Sequence, residues 1–239
     1  MSVLLGLAAT VAVGFAQEGD LGDEIEDGPA ARYVANWQLP KGDGLYERWD
    51  PDRSWAASHV VSTIQVVAER MALELPLADP LMIGDISRKG GGGLLGHKTH
   101  NLGIDVDIGM FMDDQRQPLG GFVDVTPQHL DVDSTWMLVT AMIDTGQVQF
   151  ILLDQSLIDR LHDYVLHDVG LEKNLVNAMF PAPGRRLTWS LRNVFRHAPN
   201  HKNHLHVRFT PPLTLEDPPI GFGRGSRRAI ASPTLPAWY

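Results

Sequence analysis

Cysteine is absent from the 239-residue chain, so no disulfide can stabilise it. If the chain is exported, its stability must come from its hydrophobic core, with or without a bound metal. Basic residues are also outnumbered, since 20 Lys and Arg against 29 Asp and Glu give a formal net charge of −9. This balance argues against a general nucleic-acid-binding protein, which needs a basic surface.

Two further features are missing from the body of the chain. No stretch of about 18 apolar residues follows the N-terminus, so no membrane-spanning helix is expected there. The glycine run at 90–93 lacks the Lys and hydroxyl residues of a phosphate-binding loop. The remaining composition, 44% hydrophobic and 21% charged, is that of an ordinary globular protein.

The first residues are typical of a secretory signal peptide. They are small and apolar from Val3 to Ala16, and Gly14 and Ala16 form a small-x-small pattern before Gln17. A charged leading region is missing, which leaves a buried N-terminal helix or a start assigned too far downstream as alternatives. We predict a signal peptide over 1–16, an extended lead-in over 17–50, the main domain over 51–212 and a Pro/Gly-rich tail over 213–239.

Hydrophobic periodicity predicts helices and strands that do not alternate regularly. The predicted helices cover about 54–75, with Ser54 as its cap, 134–144, 156–168 and a short one in 189–197. The predicted strands lie in 81–87, 103–112, 147–153 and 204–210. This order favours an α+β fold, with a central antiparallel sheet flanked by helices and joined by long loops.

The segment GHKTHNLGIDVDIG, residues 96–109, concentrates the first group of chemically active side chains. On a strand, Asp105 and Asp107 point to one face and the apolar residues between them to the other. His100 precedes Asp107 by seven positions, and Gly103 allows the chain to turn between them. A loop histidine and a strand carboxylate can therefore converge on one point.

The segment HKNHLHVRF, residues 201–209, supplies the second group. His204 and His206 share one strand face. Catalytic zinc sites use three protein ligands and keep a position for water, whose pKa the zinc lowers to about 7. His100, Asp107 and one of these two histidines form such a set for one zinc ion per chain, and spacing leaves open which one. The other histidine can shuttle protons.

The two motifs together resemble those of the penicillin-insensitive murein endopeptidases, within the LAS-type zinc metallopeptidases that include lysostaphin, D-alanyl-D-alanine carboxypeptidases and hedgehog-like domains. The resemblance covers about residues 52–210, which makes 51–212 a zinc peptidase domain. It implies that the sheet carries a zinc site and that zinc binds His100, Asp107 and His206. It also implies that His204 is the catalytic base and that His97 and His201 line the site. We predict that His201 takes part in catalysis and that His97 supports the site or contacts the substrate.

Two further residues are assigned by position and chemistry. Asp105 shares the face of Asp107 and is predicted to orient a histidine. Arg88, before the glycine run, can grip a substrate carboxylate with its guanidinium fork, although a solvated surface arginine is an equal alternative.

The resemblance implies a periplasmic hydrolase that cuts amide bonds in peptidoglycan cross-links of the D-alanyl-meso-diaminopimelyl type. Peptidoglycan peptides are then its partners, with no nucleic acid and no stable membrane insertion after signal cleavage. Alternatives are a D,D-carboxypeptidase, another cell-wall peptidase of this fold, or a non-catalytic zinc-containing domain that binds cell wall. The carboxypeptidases that the chain resembles place a glutamate base a few positions before their last zinc histidine. No glutamate precedes His206 in this way, which counts against a carboxypeptidase of that type.

Overall fold

The computed structural model describes residues 35–113, 117–118, 120–183 and 193–211. The predicted signal peptide, the predicted tail and the first half of the predicted lead-in lie outside these residues. The described elements, in chain order, are β1 (Trp37–Gln38), β2 (Tyr46–Arg48), β3 (Trp55–Ala56), α1 (Ser58–Glu74), β4 (Leu81–Ile83), β5 (Asp105–Gly109), α2 (Val132–Ile143), β6 (Val148–Leu153), α3 (Gln155–His167), α4 (Lys173–Met179), β7 (Phe195–His197) and β8 (His204–Phe209).

A six-stranded sheet in the order β2-β4-β5-β8-β6-β7 forms the centre of the fold, beside the short antiparallel pair β1-β3. Its four inner strands, β4, β5, β8 and β6, pair with one another in antiparallel fashion. At the two edges, β2 pairs in parallel with β4, and β7 pairs in parallel with β6. Parallel pairs need long crossover connections. Helix α1 lies in the first connection, and α3 and α4 lie in the second. The predicted α+β class is confirmed, and the sheet is mixed at its edges.

Alternation along β5 and β8 separates an apolar from a polar face. Val106 and Ile108 of β5, with Leu205 and Val207 of β8, belong to the buried cluster that also contains residues of α1, α2 and α3. The intervening side chains of both strands point to the opposite face, because successive residues of a strand alternate. Burial of the apolar face therefore fixes the polar residues on the other.

Two local predictions were wrong. Ser54 does not cap α1, which begins at Ser58 with Ala57 as its N-cap. Ser54 instead ends a short 3₁₀ turn at Pro51–Arg53 and forms an isolated bridge with Ser87. The predicted short helix in 189–197 is contradicted by its described end, where Phe195–His197 is strand β7. Phe195 is fully buried beside β6, so tertiary pairing decides this segment.

The lengths and hydropathies of the helices bear on membrane insertion. Within the described ranges, no helix is both long enough and apolar enough to cross a membrane.

Candidate active site

The register of β5 against β8 brings the two polar motifs face to face. Asp107 lies opposite His206, and Asp105 lies opposite Arg208. His204 lies opposite Gly109, where no side chain competes for space. Residues separated by about a hundred positions along the chain thus become cross-strand neighbours on the polar face of the sheet.

Five histidines cluster at the site: four lie within 4 Å of Asp107, and the fifth, His201, packs against His204 and His206. Each has one ring nitrogen at a fixed hydrogen-bond acceptor. The pairs are His100 Nδ1 with Ile86 O (2.9 Å), His206 Nε2 with Asp105 Oδ1 (3.0 Å), His204 Nδ1 with Asn203 Oδ1 (2.7 Å), His201 Nδ1 with Pro199 O (2.9 Å) and His97 Nε2 with Asp85 Oδ2 (2.8 Å). Because these oxygens only accept hydrogen bonds, the nitrogens facing them carry the protons. The second nitrogen of each neutral ring is then an acceptor.

Three of these second nitrogens lie close to Asp107. The Asp107 Oδ1 atom is 3.2 Å from His100 Nε2, 3.1 Å from His206 Nδ1 and 3.3 Å from His204 Nε2. A carboxylate and several imidazole lone pairs therefore point into one small volume. Such a set of acceptors needs a cation or additional protons to stabilise it.

A nearly equilateral triangle is formed by His100 Nε2, Asp107 Oδ1 and His206 Nδ1, with sides of 3.2, 3.1 and 3.2 Å. Atoms about 2.0–2.1 Å from a tetrahedrally coordinated zinc ion lie about 3.3 Å from one another. All three side chains are buried, so little movement is available to them. The residues present therefore fit a tetrahedral metal ion in both donor type and spacing.

Two groups of possible metal ligands adjoin this triangle. His97, His100 and Asp107 offer ligand atoms within 4.8 Å of one another. The same holds for His201, His204 and His206. The triangle takes its three members from both groups and lies where they meet.

The ionisation of the site also suits a cation. Burial raises the pKa of Asp107, but its close contacts with the rings of His100, His204 and His206 outweigh burial and hold this pKa well below its usual range. Burial lowers the pKa of His206, but its hydrogen bonds to Asp105 and Asp107 raise it to about 9. Without a cation, His206 therefore holds a proton at neutral pH, and a bound metal ion would displace it.

A comparison with known protein families shows to which family the chain belongs. The family model described as penicillin-insensitive murein endopeptidase matches residues 36–217, which is most of the chain. The chain belongs to this family. Among curated proteins, no significant match was found. Membership of a murein endopeptidase family makes the chain a peptidase, and hence a hydrolase that acts on peptidoglycan.

In this family member, His204 and His201 are neighbours and are less buried than the triangle. Their ring centroids are 5.0 Å apart, and the His204 ring stacks on Phe122 at 5.2 Å and 26°. Burial lowers the pKa of His201 to about 4, so the ring is neutral near pH 7. Since its Nδ1–H donates to Pro199 O, its Nε2 can accept a hydrogen bond or a proton but cannot donate one.

His97 reaches the opposite side of Asp107, with 3.8 Å between His97 Nδ1 and Asp107 Oδ2. Its other nitrogen is held by Asp85, a nearly buried carboxylate that sequence reasoning did not single out. Arg53 Nη2 also lies 2.8 Å from Asp85 Oδ2 and donates to Leu95 O in the loop before His97. The sequence offered one sign of this role, because Asp85 is the single acidic residue inside the apolar run 81–87.

The two remaining predicted residues differ in their surroundings. Asp105 is fully buried, and its carboxylate contacts both His206 and Arg208. Arg88 lies in the glycine loop, where its Nε donates to Gly91 O at 2.9 Å. Within the described ranges, no hydrogen bond or ion pair joins Arg88 to the five histidines. Arg208 was missed although it shares a strand face with His204 and His206.

Proposed function

We propose that the protein is a zinc-dependent murein endopeptidase that hydrolyses amide bonds in peptidoglycan peptide cross-links of the D-alanyl-meso-diaminopimelyl type. The observation that carries this proposal is the buried triangle of His100 Nε2, Asp107 Oδ1 and His206 Nδ1. Its sides suit tetrahedral zinc, and its inward atoms are acceptors. Family membership supports the substrate class.

The three residues of the triangle would hold one zinc ion per chain. When bound there, zinc supplies Lewis-acid chemistry, which lowers the pKa of a water molecule and polarises a substrate carbonyl. Asp107 contributes a full negative charge, and the two histidines contribute neutral nitrogens. The set therefore leaves one net positive charge at the site for a carbonyl oxygen that becomes negative.

His204 is the proposed general base. Asn203 Oδ1 fixes its Nδ1, so Nε2 faces the site as an acceptor, 3.3 Å from Asp107 Oδ1. In that position, Nε2 takes the proton of the attacking water and later passes it to the leaving amine. Stacking on Phe122 limits rotation of the ring between these two transfers. No serine or cysteine nucleophile is needed, so β-lactams are not expected to acylate the protein.

The predicted location follows from the substrate. Peptidoglycan lies outside the cytoplasmic membrane, so a peptidase that acts on it must be exported. We propose that residues 1–16 act as a signal peptide and that the mature protein is periplasmic. His201, His97 and Arg88 are proposed to line the substrate path around the metal site.

The test is digestion of purified cross-linked peptidoglycan, with mass spectrometry of the released muropeptides and zinc analysis of the protein. We expect about one zinc per chain and conversion of cross-linked dimers into monomers. A chelator should stop this conversion, and added zinc should restore it. The control is His129→Ala. This change removes an exposed histidine that is hydrogen-bonded to Thr126 and is not one of the five at the site.

Other products would identify a different activity. Release of free D-alanine with intact cross-links would indicate a D,D-carboxypeptidase. Cleavage at a different amide would indicate another cell-wall peptidase of this fold. Bound zinc with no cleavage of any cross-linked peptide would leave only a cell-wall-binding role, and the enzymatic proposal would be wrong.

A further inference from the structure

Two buried aspartates lie on one face of β5, and strand geometry alone does not determine which of them would bind a cation. Asp105 is 0% exposed and Asp107 is 3% exposed. Each has an oxygen within about 3 Å of a different nitrogen of the same ring, His206. Either carboxylate could therefore approach a cation beside His206, so another residue must distinguish them.

Arg208 makes this distinction by occupying both oxygens of Asp105. It lies directly opposite Asp105 in the antiparallel register. Its Nε donates to Asp105 Oδ1 at 2.8 Å, and its Nη2 donates to Asp105 Oδ2 at 2.8 Å. This two-point fork fixes both the charge and the orientation of the carboxylate. The guanidinium is itself held in place near the ring of Phe150, 5.4 Å from its centroid.

The bonds from Arg208 leave Asp105 Oδ1 able to accept one further hydrogen bond. Its Oδ1 also accepts from His206 Nε2 at 3.0 Å. That hydrogen bond places the proton on Nε2 and leaves His206 Nδ1 as the nitrogen that faces Asp107 and His100. Asp107 has no arginine partner among the described residues; its contacts are histidines.

We propose that Arg208 is a positioning residue that selects the metal ligands, keeping Asp105 as an orienting acceptor so that Asp107 and His206 Nδ1 coordinate the ion. This inference rests on the metal site of the proposed function. Arg208 and Asp105 together carry no net charge, so the charge of Asp107 alone is available to the ion. Without Arg208, the buried Asp105 carboxylate loses its cationic partner, keeps only the hydrogen bond from His206, and competes with Asp107 for the cation.

Metal affinity and coordination test this role without any activity measurement. The dissociation constant for zinc is measured by competition with a chromophoric chelator, and the visible spectrum of the cobalt-substituted protein reports the coordination geometry. Arg208→Ala is expected to weaken zinc binding about 10–100-fold, as is typical when an outer partner of a metal ligand is lost. Its cobalt spectrum is expected to differ from that of the wild type.

A charge-removal variant separates positioning from simple packing. If Arg208 acts by neutralising Asp105, then the double variant Arg208→Ala/Asp105→Asn should bind zinc more tightly than Arg208→Ala alone. The matched control is Arg196→Ala, because Arg196 stacks on the same Phe150 ring at 4.1 Å and donates to Asn193 O. This control is expected to keep the wild-type zinc affinity and cobalt spectrum.

Each outcome decides the proposal. Wild-type affinity and spectrum in Arg208→Ala would overturn it, and so would an equal loss in Arg196→Ala or no recovery in the double variant. If Arg208→Ala does not fold, Arg208→Lys is used, since lysine keeps the charge but not the fork; intermediate affinity supports the proposal and wild-type behaviour overturns it. If the wild type binds no zinc, the proposed function itself is wrong, and this inference falls with it.

Discussion

At the scale of single residues, each histidine of the site is oriented by a hydrogen-bond acceptor on its outer side. Backbone carbonyls hold His100 and His201, and the side chains of Asp105, Asn203 and Asp85 hold the other three rings. These outer partners fix the tautomers before any ligand binds. The chemistry of the inner nitrogens therefore depends on residues outside the metal-ligand triangle.

The assignment of His204 as base and His206 as ligand gives opposite expectations for two substitutions. His204→Ala should lower kcat by about 10²–10⁴-fold, the usual contribution of a general base, and should keep the zinc content near that of the wild type. His206→Ala should lose zinc, because it removes one corner of the buried triangle. Muropeptide release and zinc analysis on the same samples check both, with His129→Ala as control. Zinc loss in His204→Ala with retention in His206→Ala would reverse the two roles.

At the scale of secondary-structure elements, a glycine controls the entry into β5. Gly103 has a φ of +70°, and a Cβ there would lie 2.8 Å from Ala35 Cβ and 2.9 Å from Ala56 Cα. Its carbonyl also accepts from Ala57 N, next to the start of α1. The turn between His100 and Asp107 thus passes against the backbone of β3.

Gly103→Ala is expected to destabilise the protein by more than about 2 kcal/mol, because left-handed strain and steric overlap add. Gly146→Ala is the matched control, since Gly146 has a φ of +69° with nothing within 4 Å of its Cβ position. It should show only the strain, about 1 kcal/mol. Urea denaturation of the metal-free variants measures both, and equal losses would show that the overlap is relieved at no cost.

The start of α3 supplies a pH-dependent contribution. Asp154 caps this helix, with its Oδ1 accepting from Ser156 N at 3.0 Å. Burial raises the pKa of Asp154, but hydrogen bonds from Ser156, together with Lys202 and His197, hold it below its usual value. A carboxyl whose folded pKa lies below its unfolded value stabilises the fold above about pH 4, and this stabilisation is lost as pH falls through the folded pKa.

Two substitutions at Asp154 separate its cap from its charge. Asp154→Ala should cost about 1 kcal/mol near neutral pH, as is usual for a lost N-cap. Asp154→Asn keeps a cap but cannot titrate, so its free energy of unfolding should approach that of the wild type between about pH 6 and pH 3. Urea denaturation across this range is the measurement. A constant difference between wild type and Asp154→Asn would contradict the charge contribution.

Elements whose signal is local were predictable from the sequence, and those decided by distant partners were not. The alternation of Asp105–Gly109 and His204–Phe209 predicts two-faced strands, and both are observed. The parallel pairing of β7 depends on where α3 and α4 return the chain, which no short pattern encodes. For the same reason, Asp85 and Arg208 were not recognised as partners of the site, since their contacts cross between elements.

At the scale of the whole molecule, no disulfide is available, so the proposed zinc ion would be the cross-link that this chain can use. Removal of zinc should lower the free energy of unfolding by about 2.7 kcal/mol where free zinc stands at about 100 times its dissociation constant. For a domain of this size, Tm should fall by about 5–10 °C. Calorimetry with and without chelator measures this shift.

Two controls accompany the chelator experiment. A reducing agent should leave Tm unchanged, because the chain contains no cysteine. His206→Ala should show no response to chelator, because its site is incomplete. An unchanged Tm of the wild type after complete zinc removal would mean that the ion does not contribute to stability.

The cross-strand register also fixes the order in which the molecule can be assembled. Asp107 and His206 are 99 positions apart in sequence, so their pairing closes a long loop and raises the contact order of the fold. A zinc ion cannot gather these residues in an unfolded chain as it does in a zinc finger, where the ligands are close in sequence. The proposed site therefore exists only once the sheet has formed, and zinc uptake is expected to follow folding. The rate of zinc incorporation during refolding would therefore report completion of the central sheet.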